Sequence, residues 1–385
     1  MRHLILLDVD GVLVHPAGYK AALCATVDHF AAQMGLPPVE LSHDEIAVFE
    51  ACGITNEWDS GAMCASALLL AALEHNPTLR RPSLSATLSA LRAATASVPR
   101  PDFMAMARDI AHHNNDGHVP SALYLELLAG RADTAALPLL AELLANVYDI
   151  ITPTTRMFQA LTLGSAQFTT TYGQVPPFES ESYLVAHDAP LLDDDSRDAL
   201  LDWTAGNEHG TAIYTARPSL PPADVPGVAP MGYTPEAELA RELLHLEDVV
   251  LIGQGRVSWL AAQHGRSAPE YIKPAPVQAL AAIGAAASGT EMSALLAAAD
   301  LFEHARLSSP LTELRGEALH VTVFEDSTGG IRAVRSAVGL LRQVGLKTSF
   351  RAVGVSPHPE KRAALAPVAD DVVDDINAGL ELVLS

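Results

Sequence analysis

Cysteine is almost missing from this chain of 385 residues: Cys24, Cys52 and Cys64 are the whole complement, an odd number with no CxxC pair. That excludes a disulfide framework and a cysteine-ligated zinc site, and it fits a reducing compartment in which buried free thiols are the expectation. Basic residues are also scarce. Lys and Arg number 24 against 46 Asp and Glu, a formal charge of -22, which argues against a phosphate backbone or an acidic membrane surface as partner. Neither nucleic acid nor membrane is therefore expected. An anionic small molecule stays compatible only if the site brings its own positive charge from a metal, a lysine or a helix N-terminus. Apolar runs of membrane-spanning length are lacking, since stretches such as 65–73 are soon broken by polar residues. No leader-like segment precedes the first apolar run, and the expected location is the cytoplasm. Internal repeats and low-complexity tracts are missing as well, and the pattern specifies no oligomeric state.

What is present is apolar material for a sizeable core, with 49% hydrophobic and 18% charged residues. The length exceeds one typical core, so two domains, or one domain with a large insertion, are expected. The segment His3-Leu4-Ile5-Leu6-Leu7-Asp8-Val9-Asp10-Gly11-Val12-Leu13 carries the most information. An apolar run long enough for a buried strand stops at two aspartates and a glycine. In an open α/β sheet the carboxyl ends of parallel strands border the ligand crevice, so Asp8 and Asp10 are placed for chemistry instead of packing. From Lys20 to about Leu201 the pattern is mainly amphipathic helix, with helices predicted over 19–34, 60–74, 83–96, 102–113, 121–129 and 137–146. From Gly210 onward short β-like runs at 211–214, 249–252, 321–324 and 348–355 alternate with helices at 235–244, 276–283, 330–344 and 360–364. Such alternation predicts a parallel sheet covered on both faces. The simplest topology inserts a helical domain, residues 17–205, into an α/β core made of 1–16 and 206–385. A domain rooted beside the aspartates is expected to close over them and exclude water. A surface loop is expected over 218–235, where Pro, Gly and Ala are frequent.

Three further segments sit at predicted strand ends. Ala212-Ile213-Tyr214-Thr215-Ala216-Arg217-Pro218 ends a strand in a hydroxyl, which with neighbouring backbone N–H groups can hold phosphate oxygens. Tyr271-Ile272-Lys273-Pro274-Ala275-Pro276 sets a lysine just before a proline-initiated helix, supplying the local positive charge that the acidic chain requires. Val321-Thr322-Val323-Phe324-Glu325-Asp326-Ser327-Thr328-Gly329-Gly330-Ile331 again ends a strand in carboxylates, and Asp8 and Asp326 are candidates to share a hard cation.

Taken in order, these four segments resemble the haloacid dehalogenase-like (HAD) hydrolase superfamily, with a Rossmann-like parallel-sheet core and an α-helical cap inserted after the first motif, as in subfamily I. The likeness covers the first strand and most of 210–384, including Val353-Gly354-Val355 and Ala369-Asp370-Asp371-Val372-Val373. It implies that Asp8 is the nucleophile that becomes an aspartyl phosphate and that Asp10 is the acid and base for the leaving oxygen and the attacking water. It also implies that Thr215 and Lys273 bind the transferring phosphoryl group. Mg²⁺ would be held by Asp8, the Asp10 backbone carbonyl and Asp326, with Glu325 as a direct or indirect partner. The reaction so implied is Mg²⁺-dependent hydrolysis of a small phosphorylated metabolite. Asp10 favours phosphoryl transfer over dehalogenation, because halide departs without a proton. A phosphonatase would need a cap lysine, and Lys20 is the only lysine between Asp8 and Lys273. A phosphomutase would need a second phosphate site, yet the early insertion around His43-Asp44-Glu45 is acidic. A catalytically idle binding or regulatory module is the alternative from a different class.

Within the insertion, Gly53-Ile54-Thr55-Asn56-Glu57-Trp58-Asp59 resembles a segment that faces the active site in some helical-cap members, making Asn56 and Trp58 candidate substrate contacts. The same residues also read as a helix start, with Asp59 or Ser60 as cap and Trp58 as staple. Arg217 could contact substrate, although a surface pair with an acid is the preferred reading. His15 is expected in a solvated loop, and the cluster His112-His113-Asn114-Asn115-Asp116 at a helix terminus. The insertion is larger than usual for the family, and 292–314 predicts an additional helical segment.

Overall fold

The structure is a computed structural model that describes residues 1–94, 98–114, 117–131, 135–223, 225 and 233–384. It divides into two compact units, Met1–Pro16 with Asp188–Ser385, and Ala17–His187.

The first unit is α/β. Its strands are β1 (Arg2–Leu7), β2 (Val14–His15), β3 (Ala189–Pro190), β4 (His209–Tyr214), β5 (Val250–Ile252), β6 (Ala318–Glu325), β7 (Lys347–Val355) and β8 (Asp371–Val373). Six of them form one sheet in the order β5-β4-β1-β6-β7-β8, every pairing parallel. Leu4, Ile5, Leu6 and Leu7 are all essentially buried, as a central parallel strand covered on both faces requires. Successive side chains point to opposite faces. Thus Leu4, Leu6, Ala212, Tyr214, Val321 and Val323 join a core with helices Pro276–Ser288, Glu291–His304 and Thr328–Gln343. Ile5, Leu7, Ile213 and Phe324 join another with helices Asp194–Thr204, Glu236–Leu243 and Ile376–Leu384. The order reverses at β1, which lies between β4 and β6, and the carboxyl ends of these three strands lie side by side at that switch point.

The second unit is helical. Nine helices, from Ala17–Gln33 to Tyr183–His187, appear among its described residues. Ala17–Gln33, Glu57–His75 and Pro153–Tyr172 pack on one another around a single apolar core. Three of these helices, His43–Ala51, Pro153–Tyr172 and Tyr183–His187, lie outside the ranges expected from periodicity, and Glu57–His75 begins one turn before the expected start at residue 60. Among the described residues no helix is long and apolar enough to cross a membrane.

Three boundaries differ from the sequence reading. The helical unit ends at His187 instead of residue 205, because helix Asp194–Thr204 sets Leu200 into the α/β core and packs on Ile376–Leu384 and β4. Periodicity marks a buried face without saying which core receives it. The short strands β2 and β3 pair antiparallel, Val14 with Pro190 and His15 with Ala189, so the two chain connections flanking residues 17–187 form one ribbon. His15 is exposed there, in a strand and not a loop. The start of the expected surface loop is held down: Ser219 is buried, its Oγ accepts from the Gly255 N–H, and the Leu220 carbonyl accepts from Arg256. Residues 224 and 226–232 of that segment lie outside the described residues, as do 95–96 of the expected helix 83–96 and Asn115 and Asp116 of the histidine cluster. His112 and His113 end helix Phe103–His113, where His113 Nδ1 meets the Asp109 carbonyl oxygen.

Candidate active site

β1 delivers Asp8 to its carboxyl end, where the Asp8 N–H donates to the Phe324 carbonyl of β6 at 3.1 Å. This bond extends the ladder one residue past the strand and holds the carboxylate at a fixed height. The Asp8 side chain is 7% exposed and receives the Lys273 Nζ on Oδ1 at 2.8 Å. Lys273 also donates to Glu325 Oε1 at 2.7 Å, and its ammonium lies 4.9 Å from the centre of the Tyr214 ring. Glu325 is fully buried. Its other oxygen accepts from the Ser327 N–H and hydroxyl, while the Ser327 hydroxyl in turn caps helix Thr328–Gln343 through the Gly330 N–H. Both Glu325 oxygens therefore have donors already. Asp326 takes the Lys361 Nζ on Oδ2.

One carboxylate oxygen from each of Asp8, Glu325 and Asp326 lies within 4.8 Å of the others. Three carboxylates thus face one buried ammonium, and the balance shows in their protonation. Burial, and then the charge of Glu325, push Asp8 well above the usual carboxylate range, with Lys273 opposing. Burial likewise raises Asp326, against the pull of Lys361. For Lys273, burial alone would favour the neutral amine, but Asp8 and Glu325 outweigh it and hold the ammonium protonated beyond its ordinary range. Two glycines make room for this cluster. At Gly11 the backbone is left-handed, φ +76°, and a Cβ would sit 2.4 Å from Asp326 Oδ2. At Gly330 a Cβ would meet Glu325 Oε1 at 1.6 Å.

Thr215 directly follows β4 and is fully buried. Its Oγ1 accepts from the Arg217 N–H at 3.1 Å, and its carbonyl accepts from the buried Gln278 amide. Asp10 is tied to a different group. Arg217 Nε and Nη2 both donate to Asp10 Oδ1, at 2.8 and 2.6 Å, and Nη2 also reaches Asp188 Oδ2 at 2.8 Å. The Arg217 side chain is 1% exposed, so the expected surface pair is instead a buried one, and its acids are Asp10 and Asp188.

Asn56 and Trp58 lie in the helical unit. Asn56 is the N-cap of helix Glu57–His75, its Oδ1 accepting from the Trp58 N–H. Asp59, read from the sequence as a possible cap, instead accepts from the Ser121 N–H and the Tyr148 hydroxyl. Trp58 packs edge-on against Tyr148 and Phe158. Lys20 pairs with Glu50 at 2.9 Å.

Asp188, Lys361, Ser327 and Gln278 escaped sequence reading. Ser327 had a signal, a hydroxyl residue just before a helix start. Asp188, Lys361 and Gln278 had none, because the residues that give them their place in the site, Arg217, Asp326 and Thr215, lie 29, 35 and 63 positions away in the chain.

Comparison with solved structures supports the architecture. The chain is similar along its full length to an X-ray structure of a structural-genomics target, ZR25, with a TM-score of 0.63, 13% identity, and 100% of this chain and 98% of that chain covered. A likeness at this identity speaks for the fold. A phosphatase from Thermococcus thioreducens, Tt82, aligns at a TM-score of 0.46 and 16% identity over 99% of this chain and 98% of that one. No family model matches the sequence, and no curated protein does.

Proposed function

We propose that the protein is a phosphomonoester hydrolase of the HAD-like type, acting on a small phosphorylated metabolite with Mg²⁺ as cofactor. The observation that carries this reading is the cluster of buried Asp8 and Glu325 with half-buried Lys273 and Asp326 at the carboxyl end of the central strands. The donor set fits the ion: Mg²⁺ prefers hard oxygen ligands, and here the carboxylates exceed the buried positive charge. Asp8 and Asp326 would hold it, with the Asp10 carbonyl. Glu325, whose oxygens are engaged by Lys273 and Ser327, would hold Lys273 in place instead of ligating directly. When bound, Mg²⁺ supplies charge neutralisation between carboxylates and phosphate oxygens.

The chain's own residues do the rest. Asp8 Oδ attacks phosphorus in line and forms an aspartyl phosphate, a step that depends on positioning more than on intrinsic nucleophilicity. Lys273 places a permanent point charge beside the incoming phosphoryl oxygens, and Thr215 offers its hydroxyl at the adjacent strand end. Asp10 handles the protons. Lys20, already paired with Glu50, lends no support to a Schiff-base phosphonatase.

The test is a phosphate-release screen over sugar, nucleotide and amino-acid phosphates, with Mg²⁺ and with EDTA. Turnover should need Mg²⁺ and fall by at least ~10³-fold in Asp8→Asn, while the circular-dichroism melt of that variant stays cooperative. An Asp8→Asn protein of full activity would sink the aspartyl-phosphate reading, and a wild type silent on every ester would sink the hydrolase reading altogether and favour an idle binding module.

A further inference from the structure

We propose that Arg217, anchored by Asp188, is a positioning residue for Asp10: it fixes Oδ1 and leaves Oδ2 to the transferring proton. The proposal rests on the hydrolase reading above. Its geometric basis is that both Arg217 bonds to Asp10 end on the same oxygen, from Nε at 2.8 Å and Nη2 at 2.6 Å. A bidentate grip would have occupied both oxygens. Arg217 is itself immobilised, since its N–H donates to Thr215 Oγ1 and its carbonyl accepts from the Gln254 N–H at 3.0 Å.

Asp188 explains how such an arrangement can serve a group that changes charge. The Arg217 and Asp188 side chains are each 1% exposed and lie 2.8 Å apart, while the Asp10 side chain is 36% exposed. A guanidinium buried to this degree needs a counter-ion, and losing its only partner is strongly destabilising. Asp188 fills that need. Asp10 can therefore take up and give away a proton without leaving Arg217 uncompensated. Asp188 is also the first residue of the α/β unit after the insertion and adjoins the β2–β3 ribbon, so backbone pairing fixes its place.

The chemistry served is a balanced pair of steps. In the first, the Asp8 Oδ–P bond forms and the ester P–O bond breaks, and the departing oxygen takes the proton from Asp10 Oδ2–H to leave as the alcohol. In the second, water attacks the aspartyl phosphate, its proton passes to the Asp10 carboxylate, and inorganic phosphate and the Asp8 carboxylate are released. Only the first step with a poor leaving group depends strongly on an aligned acid, because 4-nitrophenolate departs without protonation.

The test compares kcat/KM for 4-nitrophenyl phosphate and for the alkyl phosphate with the highest turnover in the screen. Arg217→Gln should lose ~10²-fold or more on the alkyl ester and less than ~10-fold on the nitrophenyl ester, and Asp10→Asn should show the same selectivity. The double variant should fall no more than ~3-fold below Asp10→Asn on the alkyl ester, because residues acting as one unit are non-additive. Equal losses on both esters, or multiplicative losses in the double variant, would overturn the proposal and leave the hydrolase reading standing. A wild type silent on all esters overturns both. Should Arg217→Gln fail to melt cooperatively, Asp188→Asn replaces it. With the Asp188 charge gone, the Arg217 guanidinium loses a buried counter-ion and its grip on Asp10 is disturbed, so the alkyl ester should again suffer more than the nitrophenyl ester; equal losses would again overturn the proposal.

Discussion

Strands β1, β4 and β6 carry polar groups at both ends, and the two ends handle charge differently. At the amino end, His3 is in register with His209 and with His320, ring centroids 5.9 and 5.5 Å apart. These rings line a cavity of about 320 Å³ with Thr322 and Arg351. At the carboxyl end stand Asp8, Thr215, Glu325 and Asp326. Burial disfavours the charged form at both places: it lowers His3 and His320 and raises Asp8 and Asp326. The difference is the counter-ion. Burial favours the neutral form of His3 and His320, which can simply give up their charge, whereas Lys273 lies within salt-bridge distance of Asp8 and Glu325 with only 10% of its side chain exposed. A largely buried ammonium with two carboxylate partners keeps its charge where little water reaches it, as the proposed phosphoryl transfer would require.

The largest way to break this contrast is Lys273→Met. Removing one partner of a buried charge network costs about 3–5 kcal/mol, and urea unfolding in EDTA should show a loss of that order, partly restored by adding Glu325→Gln. A loss below about 1 kcal/mol would mean that the carboxylates shed their charge as readily as the histidines do. Gly11→Ala comes next. A residue other than glycine at φ +76°, with its Cβ 2.4 Å from Asp326 Oδ2, should cost about 1–3 kcal/mol and displace the Asp326 carboxylate. Urea melts give the first number and the Mg²⁺ concentration for half-maximal turnover checks the second; no change in either would show that the turn relaxes freely.

Much of the carboxyl end was legible in the sequence, because its signal is local: an apolar run that stops at an acid says both strand and strand end. Parallel pairing of β1 with β4 and β6 then carries Asp8, Thr215 and Glu325 to one edge. Other features needed three dimensions. Helix Asp194–Thr204 has a clear buried face, but nothing in its period names the core that Leu200 enters. Arg217 looked like a surface residue because its partners, Asp10 and Asp188, lie 207 and 29 positions away. β8 is only Asp371–Val373, too short for alternation to register. The histidine row went unread since each ring belongs to a separate strand, and only the register aligns them.

That row supplies the smallest effect. His3 is lowered by burial, then by His209 and the N-terminal ammonium, with Glu208 opposing. His320 is lowered by burial, then by His3 and Arg351, and Arg351 is itself paired with Asp371. When a histidine titrates lower in the folded than in the unfolded chain, the unfolded chain binds more protons between the two values. Stability is then complete above the unfolded value of about 6.5 and declines as pH falls toward the folded one. Raised carboxylates at the other end act with the opposite sign, contributing stability in acid that is lost as pH rises through their folded values. A single melting curve against pH therefore mixes the two ends, and a difference separates them. His3→Gln with His320→Gln should shrink the drop in urea midpoint between pH 7.5 and pH 5.5 relative to wild type, leaving the carboxylate contribution unchanged in both proteins. Identical pH slopes would place the rings in free solvent and reduce the amino end to an ordinary surface.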